Sequence, residues 1–141
     1  RKIFEAQGFK YAVSYTTRSP RPDEIGGQDY LFIKQPDAQD MIDKCEFYEW
    51  VAFIGWIYGT TKKQFYNDDI FIMTPSGLNQ LSEDDRKTST VIYLDIDEEV
   101  RKQRLLERKM PGDSVERRLE ADREDFKNFK NYNIKITNQN F

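Results

Sequence analysis

Arg18 and Arg21 stand three residues apart in the run Ser14-Tyr15-Thr16-Thr17-Arg18-Ser19-Pro20-Arg21-Pro22, which Gly27-Gln28-Asp29-Tyr30 follows. Two guanidinium groups on a segment stiffened by prolines suit a phosphate dianion. Each fork offers parallel donors, and a loop held in advance loses little entropy on binding. A Tyr hydroxyl nearby adds a neutral donor. The plain alternative is a solvated loop whose arginines pair with Asp23 and Glu24. Spacing alone favours that alternative, because surface ion pairs are commonplace.

Two further sets have a chemistry. In Glu49-Trp50, Gly55 and Tyr58-Gly59-Thr60, a carboxylate can accept from both the ring N1–H and the exocyclic amine of guanine. The Thr60 hydroxyl can donate to the guanine carbonyl, and Tyr58 can reach a phosphate. Adenine would leave the carboxylate unpaired, a mismatch costing several kcal/mol on the order expected for buried polar groups. The alternative is a strand-edge Glu facing water. Trp50, Phe53 and Trp56 read as ordinary core. The third set is Arg101, Arg104, Arg108, Arg117, Arg118 and Arg123 around the break Met110-Pro111-Gly112. Paired helices with inward arginines can close over polyphosphate and stabilise the charge of a phosphoryl-transfer transition state. For Arg101, Arg104, Arg117 and Arg123 the preferred reading is a salt-bridged helical hairpin, of the kind Arg118 with Asp122 would make.

These residues need elements to place them. The chain has 141 residues, enough for one domain; 38% are hydrophobic and 14% aromatic, which argues for a packed core. Lys plus Arg are 22 and Asp plus Glu 25, so bulk charge excludes a strongly basic nucleic-acid binder. There is no His, which removes Ser-His-Asp hydrolysis, Cys-His proteolysis and His-ligated zinc from this chain. The single Cys45 excludes an intramolecular disulfide. With no apolar run of about 20 residues and no signal-peptide pattern, the expectation is a soluble, cytoplasmic protein without a membrane partner. The start, Arg1 to Gly8, reads as the end of a helix closed by a glycine, its beginning missing.

Strands are expected at Phe9–Tyr15, Tyr30–Ile33, Phe47–Ile54, Trp56–Tyr58, Ile70–Met73, Thr90–Ile96 and Ile134–Ile136. Helices are expected from Pro36-Asp37 to Cys45, from a Thr60 cap to Phe65, from Pro75-Ser76 onward, from Asp97 to near Lys109, and from an Asp113 or Ser114 cap to Lys130. Thr16–Asp29 reads as a long functional loop and Glu83–Thr88 as a polar loop. Alternation of strands and helices in the second half argues α/β with a parallel sheet, and the first half looks like a strand-rich insertion.

In this order the three sets resemble guanylate kinase, the P-loop family that moves a phosphoryl group from ATP to GMP. The resemblance runs from about Phe9 to the C-terminus and is most specific in Ser14–Pro22, Asp29-Tyr30, Phe47–Trp50 and Tyr58–Thr60. It implies a P-loop-type parallel core flanked by helices, residues 13–60 as a GMP-binding insertion, and residues 108–120 as a lid. By the same resemblance, Ser14, Arg18, Arg21, Tyr30 and Tyr58 surround the GMP phosphate, with Arg18 also catalytic. Glu49 and Thr60 read guanine. Arg108 and Arg118 are catalytic lid residues touching ATP phosphates, and Asn138 lies near the adenine or its ribose. ATP and GMP are the implied partners, with Mg²⁺ carried by ATP and no protein metal ligand assigned.

Three departures stand out. The Gly-rich phosphate loop is absent, and since the family has it just before the helix that ends at Gly8, truncation is the simplest account. Thr74-Pro75-Ser76-Gly77 replaces a stretch where the family typically has acids. The segment after Thr60 and the lid are both short. The leading expectation is phosphorylation of GMP or dGMP by ATP. The alternative is a non-catalytic guanylate kinase-like module that binds phosphorylated proteins through the same Arg and Tyr residues. A kinase with another acceptor is a third class, against which Glu49 with Thr60 argues.

Overall fold

The computed structural model describes residues 1–108 and 114–141, and the chain divides into the units Arg1–Leu81 and Ser82–Phe141. The first unit runs α1 (Lys2–Glu5), β1 (Tyr15–Thr16), β2 (Leu31–Phe32), α2 (Gln35–Asp43), β3 (Phe47–Phe53), β4 (Trp56–Thr61), α3 (Lys62–Asn67) and α4 (Pro75–Leu78). Its four strands lie in the order β2-β1-β4-β3. The pairs β1/β4 and β3/β4 are antiparallel, and β1/β2 is parallel.

The β3–β4 hairpin organises this sheet. Phe53 pairs with Trp56, leaving a two-residue turn of Ile54 (φ 52°) and Gly55 (φ 80°). Both turn residues are left-handed, as the twist of a tight hairpin demands. Toward the other end the ladder shifts between Phe47 and Glu49, so Phe47 meets Thr61 while Glu49 meets Thr60. Gly59 permits close packing there: a Cβ on it would meet the Phe47 ring at 2.7 Å. Phe47 is thereby buried and stands edge-on to Tyr15 at 6.1 Å. Tyr48, at the shift, stacks on Phe65 of α3 with ring centroids 3.7 Å apart.

Several expectations need correction. Thr61, not Thr60, caps α3: its hydroxyl accepts from Gln64 N and its own N–H donates to Gln64 Oε1, a reciprocal capping box. Of Phe9–Tyr15 only Tyr15 enters the main ladder, while Tyr11 makes a single bridge to Ile70. Ile70–Met73 is not a buried strand; no strand pairs with residues 71–73 among the described residues, and Ile72 is 62% exposed. Thr74 already caps α4 with Pro75 in its first turn, so the chain turns helical before a ladder can extend. Trp50 and Trp56 are exposed rather than core.

The second unit runs α5 (Glu83–Thr88), β5 (Ile92–Leu94), α6 (Glu98–Glu107), α7 (Val115–Asp125) and β6 (Ile134–Ile136), with β5 and β6 parallel. The expected polar loop Glu83–Thr88 is a helix, α5, although no apolar period marks it. Its helix comes from the Ser82 cap on Asp85 N and from Glu83, Asp84 and Asp85 at the positive end. Ser114 caps α7 by accepting from Arg117 N. The helix ends at Asp125 rather than Lys130, because Phe126, Phe129 and Tyr132 curl round Tyr93 at 5.3–5.5 Å and Asn128 turns left-handed at φ 56°. The break Met110-Pro111-Gly112, the helix end near Lys109, the Asp113 cap and residues 109–113 of the expected 108–120 lid lie outside the described residues.

Candidate functional site

Register brings the candidate residues of the first unit onto one face of its sheet. Thr16 faces Tyr58 across β1/β4, and Thr60 lies two residues further along β4, on the same side. Across β3/β4, Thr60 pairs with Glu49. On the other side Thr16 pairs with Phe32, Leu31 N donates to Ser14 O at 2.9 Å, and the Tyr30 and Tyr58 rings meet at 5.9 Å. Ser14, Thr16, Glu49 and Thr60 are all buried, an unusual run of polar side chains in so small a sheet.

Glu49 is 5% exposed, and Thr60 hydrogen-bonds it through hydroxyl and backbone N–H. Burial holds its carboxyl above the usual carboxylate range, although the bonds from Thr60 pull the other way. Helix α4 packs against this carboxyl: a Cβ on Gly77 would sit 2.7 Å from Glu49 Oε2. Thr74 Oγ1 accepts from Gly77 N at 3.2 Å, fixing that turn. Gln80 then ties the segment to β3, accepting from Trp50 N at 3.1 Å and donating to Trp50 O at 2.7 Å. The side-chain amide so imitates a neighbouring strand on the edge of the sheet.

The arginine loop is ordered around a carboxylate. Arg18 Nη1 and Nη2 donate to Glu24 Oε2 and Oε1 at 3.0 and 2.8 Å. Arg21 adds its backbone N–H at 2.8 Å and Nη1 at 3.3 Å. The pairing is thus the one the plain sequence reading allowed, with Glu24; Asp23 is exposed. The Arg18 guanidinium lies 5.4 Å from the Tyr30 ring centroid. Burial works against the Arg18 charge, yet the hydrogen bonds with Glu24 and Tyr58 outweigh it and its pKa rises. Burial alone would raise Glu24, but Arg18 and the Arg21 N–H bring it below the usual carboxylate range.

This face carries a buried carboxylate and threonine at one end and a paired arginine and two tyrosines at the other. The guanylate kinase family model matches residues 3–141. The chain belongs to the guanylate kinase family. It is 33% identical over 135 residues to a guanylate kinase of Syntrophus aciditrophicus, covering 92% of this chain and 65% of that protein. A guanylate kinase of Geobacter metallireducens is 32% identical over 139 residues, covering 94% of this chain and 68% of the relative. One of Chlamydia muridarum is 49% identical over 55 residues, 39% of this chain and 27% of the relative. The chain thus spans 65% of the length of the Syntrophus relative, 68% of the Geobacter one and 27% of the Chlamydia one. Among solved structures, the guanylate kinase of Anaplasma phagocytophilum superposes with TM-score 0.75 at 21% identity, over 98% of this chain and 71% of that one. The fold is guanylate kinase-like, a mixed α/β arrangement of sheet and helices.

In this guanylate kinase-family chain the acceptor-side candidates Ser14, Arg18, Tyr30, Glu49, Tyr58 and Thr60 share one sheet face and its bordering loop, and Arg21 joins them through Glu24. Candidates on the second unit sit differently. Arg108 is the exposed C-cap of α6, and Arg118 is half-buried on α7. Asn138 turns on its own backbone, its Oδ1 accepting from Asn140 N at 3.0 Å. Arg101, Arg104 and Arg123 are structural: Arg101 pairs with Asp122 at 2.8 Å, Arg104 donates to Gln139 O, and Arg123 grips Glu98 at 2.6 Å. Among the described residues no cluster of acidic or thiol side chains could hold a metal ion, and no helix is long and apolar enough to cross a membrane. Sequence reasoning missed Gly77 and Gln80 as supports of Glu49. Their only sequence mark is the turn Thr74-Pro75-Ser76-Gly77, which says nothing about what approaches it.

Proposed function

We propose that this chain carries the acceptor site and lid of an ATP:GMP phosphotransferase, cytoplasmic, acting on GMP or dGMP with MgATP as donor. The observation that supports this most is the Glu49–Thr60 pair, buried at one end of the face whose other end holds Arg18, Tyr30 and Tyr58. A purine nucleotide lying along it would place base and phosphate at opposite ends. Guanine N1–H and the exocyclic amine would take up the Glu49 lone pairs, and the Thr60 hydroxyl would turn from Glu49 to the guanine carbonyl. Arg18, Arg21, Tyr30, Tyr58 and Ser14 would hold the phosphate, which serves as nucleophile and needs no general base.

On this reading residues 13–60 are the GMP-binding insertion, residues 108–120 the lid, and the remainder belongs to a P-loop-type parallel core. Arg108 and Arg118 would meet the donor phosphates and Asn138 the adenosine. Transfer would rest on positioning and charge neutralisation, with lid closure excluding water. Residues 70–77 carry no acid, so magnesium would be held by the ATP phosphates rather than from this segment. That same gap supports a second reading, a module that binds phosphorylated proteins without turnover. ADP production from MgATP by the full-length protein, with and without GMP, separates the two. GMP-dependent turnover supports the kinase. Saturable GMP binding without turnover supports the module, and no GMP binding by folded protein would sink the kinase.

A further inference from the structure

Glu24 does more in the arginine loop than neutralise a surface charge. Its two carboxylate oxygens span Arg18 Nη1 and Nη2 at 3.0 and 2.8 Å, and the same oxygens take Arg21 N at 2.8 Å and Nη1 at 3.3 Å. Its backbone N–H also donates to Arg21 O at 3.0 Å, closing the turn 21–24. The remaining contacts of Arg18 come from the loop and the sheet: Nη1 donates to Ser19 O at 2.8 Å, and Tyr58 hydrogen-bonds the guanidinium. After all of these, Arg18 Nε is still a buried donor with no partner among the described residues. Such an atom is costly unless something arrives to accept from it.

We propose that Glu24 is a positioning residue for the acceptor phosphate, holding Arg18 and Arg21 converged before the phosphate arrives and leaving Arg18 Nε as the donor that awaits it. This rests on the reading of residues 13–60 as the GMP-binding part. Two guanidiniums brought to one point repel each other, and a flexible loop would separate them. A carboxylate between them removes that repulsion and sets both planes, so the phosphate meets a formed site rather than assembling one. Arg18 and Glu24 side chains are only 12% and 11% exposed, which keeps their pairing from being screened as a surface pair would be.

The sign of the effect separates this role from simple electrostatics. Glu24 adds a negative charge beside the place of a dianion, so Coulomb's law alone predicts tighter phosphate binding when it is removed. Positioning predicts the reverse. The experiment is titration of full-length protein, wild type, Glu24→Gln and Glu24→Ala, with GMP and separately with guanosine, alongside KM and kcat for GMP. The expected result is a GMP Kd and KM raised about tenfold in Glu24→Ala, the size of one misaligned charge-assisted bond. Guanosine binding should stay unchanged, kcat should move much less than KM, and Glu24→Gln, which keeps one acceptor, should fall between. Unchanged or tighter GMP binding in the variants overturns the proposal while the GMP reading stands. Equal loss of GMP and guanosine overturns it in favour of a merely structural role. Wild-type protein that binds no GMP overturns both.

Discussion

In Arg1–Leu81 the side chains with a chemistry come from several strands and are gathered by register, whereas in Ser82–Phe141 they belong to two helices and the segments that follow them. Arginine shows the contrast best. Arg18 and Arg21 are held by Glu24 on a proline-stiffened loop, and among the described residues Arg18 Nε is buried without a partner. Arg101, Arg104 and Arg123 are spent on Asp122, Gln139 and Glu98, while Arg108 is exposed at the end of α6. An acceptor site that must discriminate a base benefits from a rigid frame. A lid that must move is better built from helix ends. The difference predicts that variants of the candidate site residues in the first unit change binding, and that variants of Arg108 and Arg118 in the second change turnover.

The largest expected effect tests the second half of that statement. Arg118→Ala should lower kcat by about 1,000-fold, the scale of an arginine that meets charge only in the transition state, with GMP affinity nearly unchanged. Arg101→Ala should do the opposite. By releasing Asp122 and Ile96 O it should lower the melting temperature and leave kcat per folded molecule intact. If Arg101→Ala abolished turnover in folded protein while Arg118→Ala did not, the division between lid and structural arginines would be wrong.

Glu49→Gln comes next. Guanine would lose one charged acceptor and face an amide donor, so GMP affinity should fall about 100-fold. Stability should move the other way. A carboxyl whose folded pKa is raised binds protons more tightly folded than unfolded, so its ionised form costs stability at neutral pH, and that cost is relieved as pH falls through the raised value. Neutral Gln should therefore raise the melting temperature of unliganded protein. The same shift predicts that GMP KM in the wild type climbs on the acid side, beginning at higher pH than an exposed Glu would allow. A flat KM from pH 7 down to the ordinary Glu range of about 4.3 would show that Glu49 does not read the base.

Gly77→Ala probes the frame behind Glu49. The new Cβ would meet Oε2 at 2.7 Å, so the carboxylate must shift, and KM for GMP should rise about tenfold for a displacement of a fraction of an ångström. That Tyr58 and Thr60 share a face, with Glu49 opposite, is readable in the sequence because alternation and a tight turn fix it. Gly77 and Gln80 were not readable, since they approach β3 from 28 and 30 residues away, Glu49 to Gly77 and Trp50 to Gln80. Trp50 and Trp56 misled because aromatic residues in a strand usually point inward; with Glu49 buried, its neighbour Trp50 must point out. The four apolar residues Ile70–Met73 look the same whether paired or not, and α5 depends on a cap and charges that carry no period.

The smallest effect asks what sets the register on which this contrast depends. Ile54 sits at φ 52° in the β3–β4 turn, a conformation that costs a β-branched residue roughly 1–2 kcal/mol and that Asn adopts readily. Ile54 is also half-buried, so replacing it gives back part of that gain. Ile54→Asn should stabilise the protein by roughly 0.5 kcal/mol net, seen as a rise of about 1–2 °C in melting temperature. GMP affinity should not change, because the pairs Phe53 with Trp56, Trp50 with Gly59 and Glu49 with Thr60 persist whatever residue closes the turn. A gain in stability accompanied by weaker GMP binding would mean that the strained turn itself holds Glu49 opposite Thr60. The frame of the acceptor site would then be as adjustable as the lid, and the contrast between the two units would lose its physical basis.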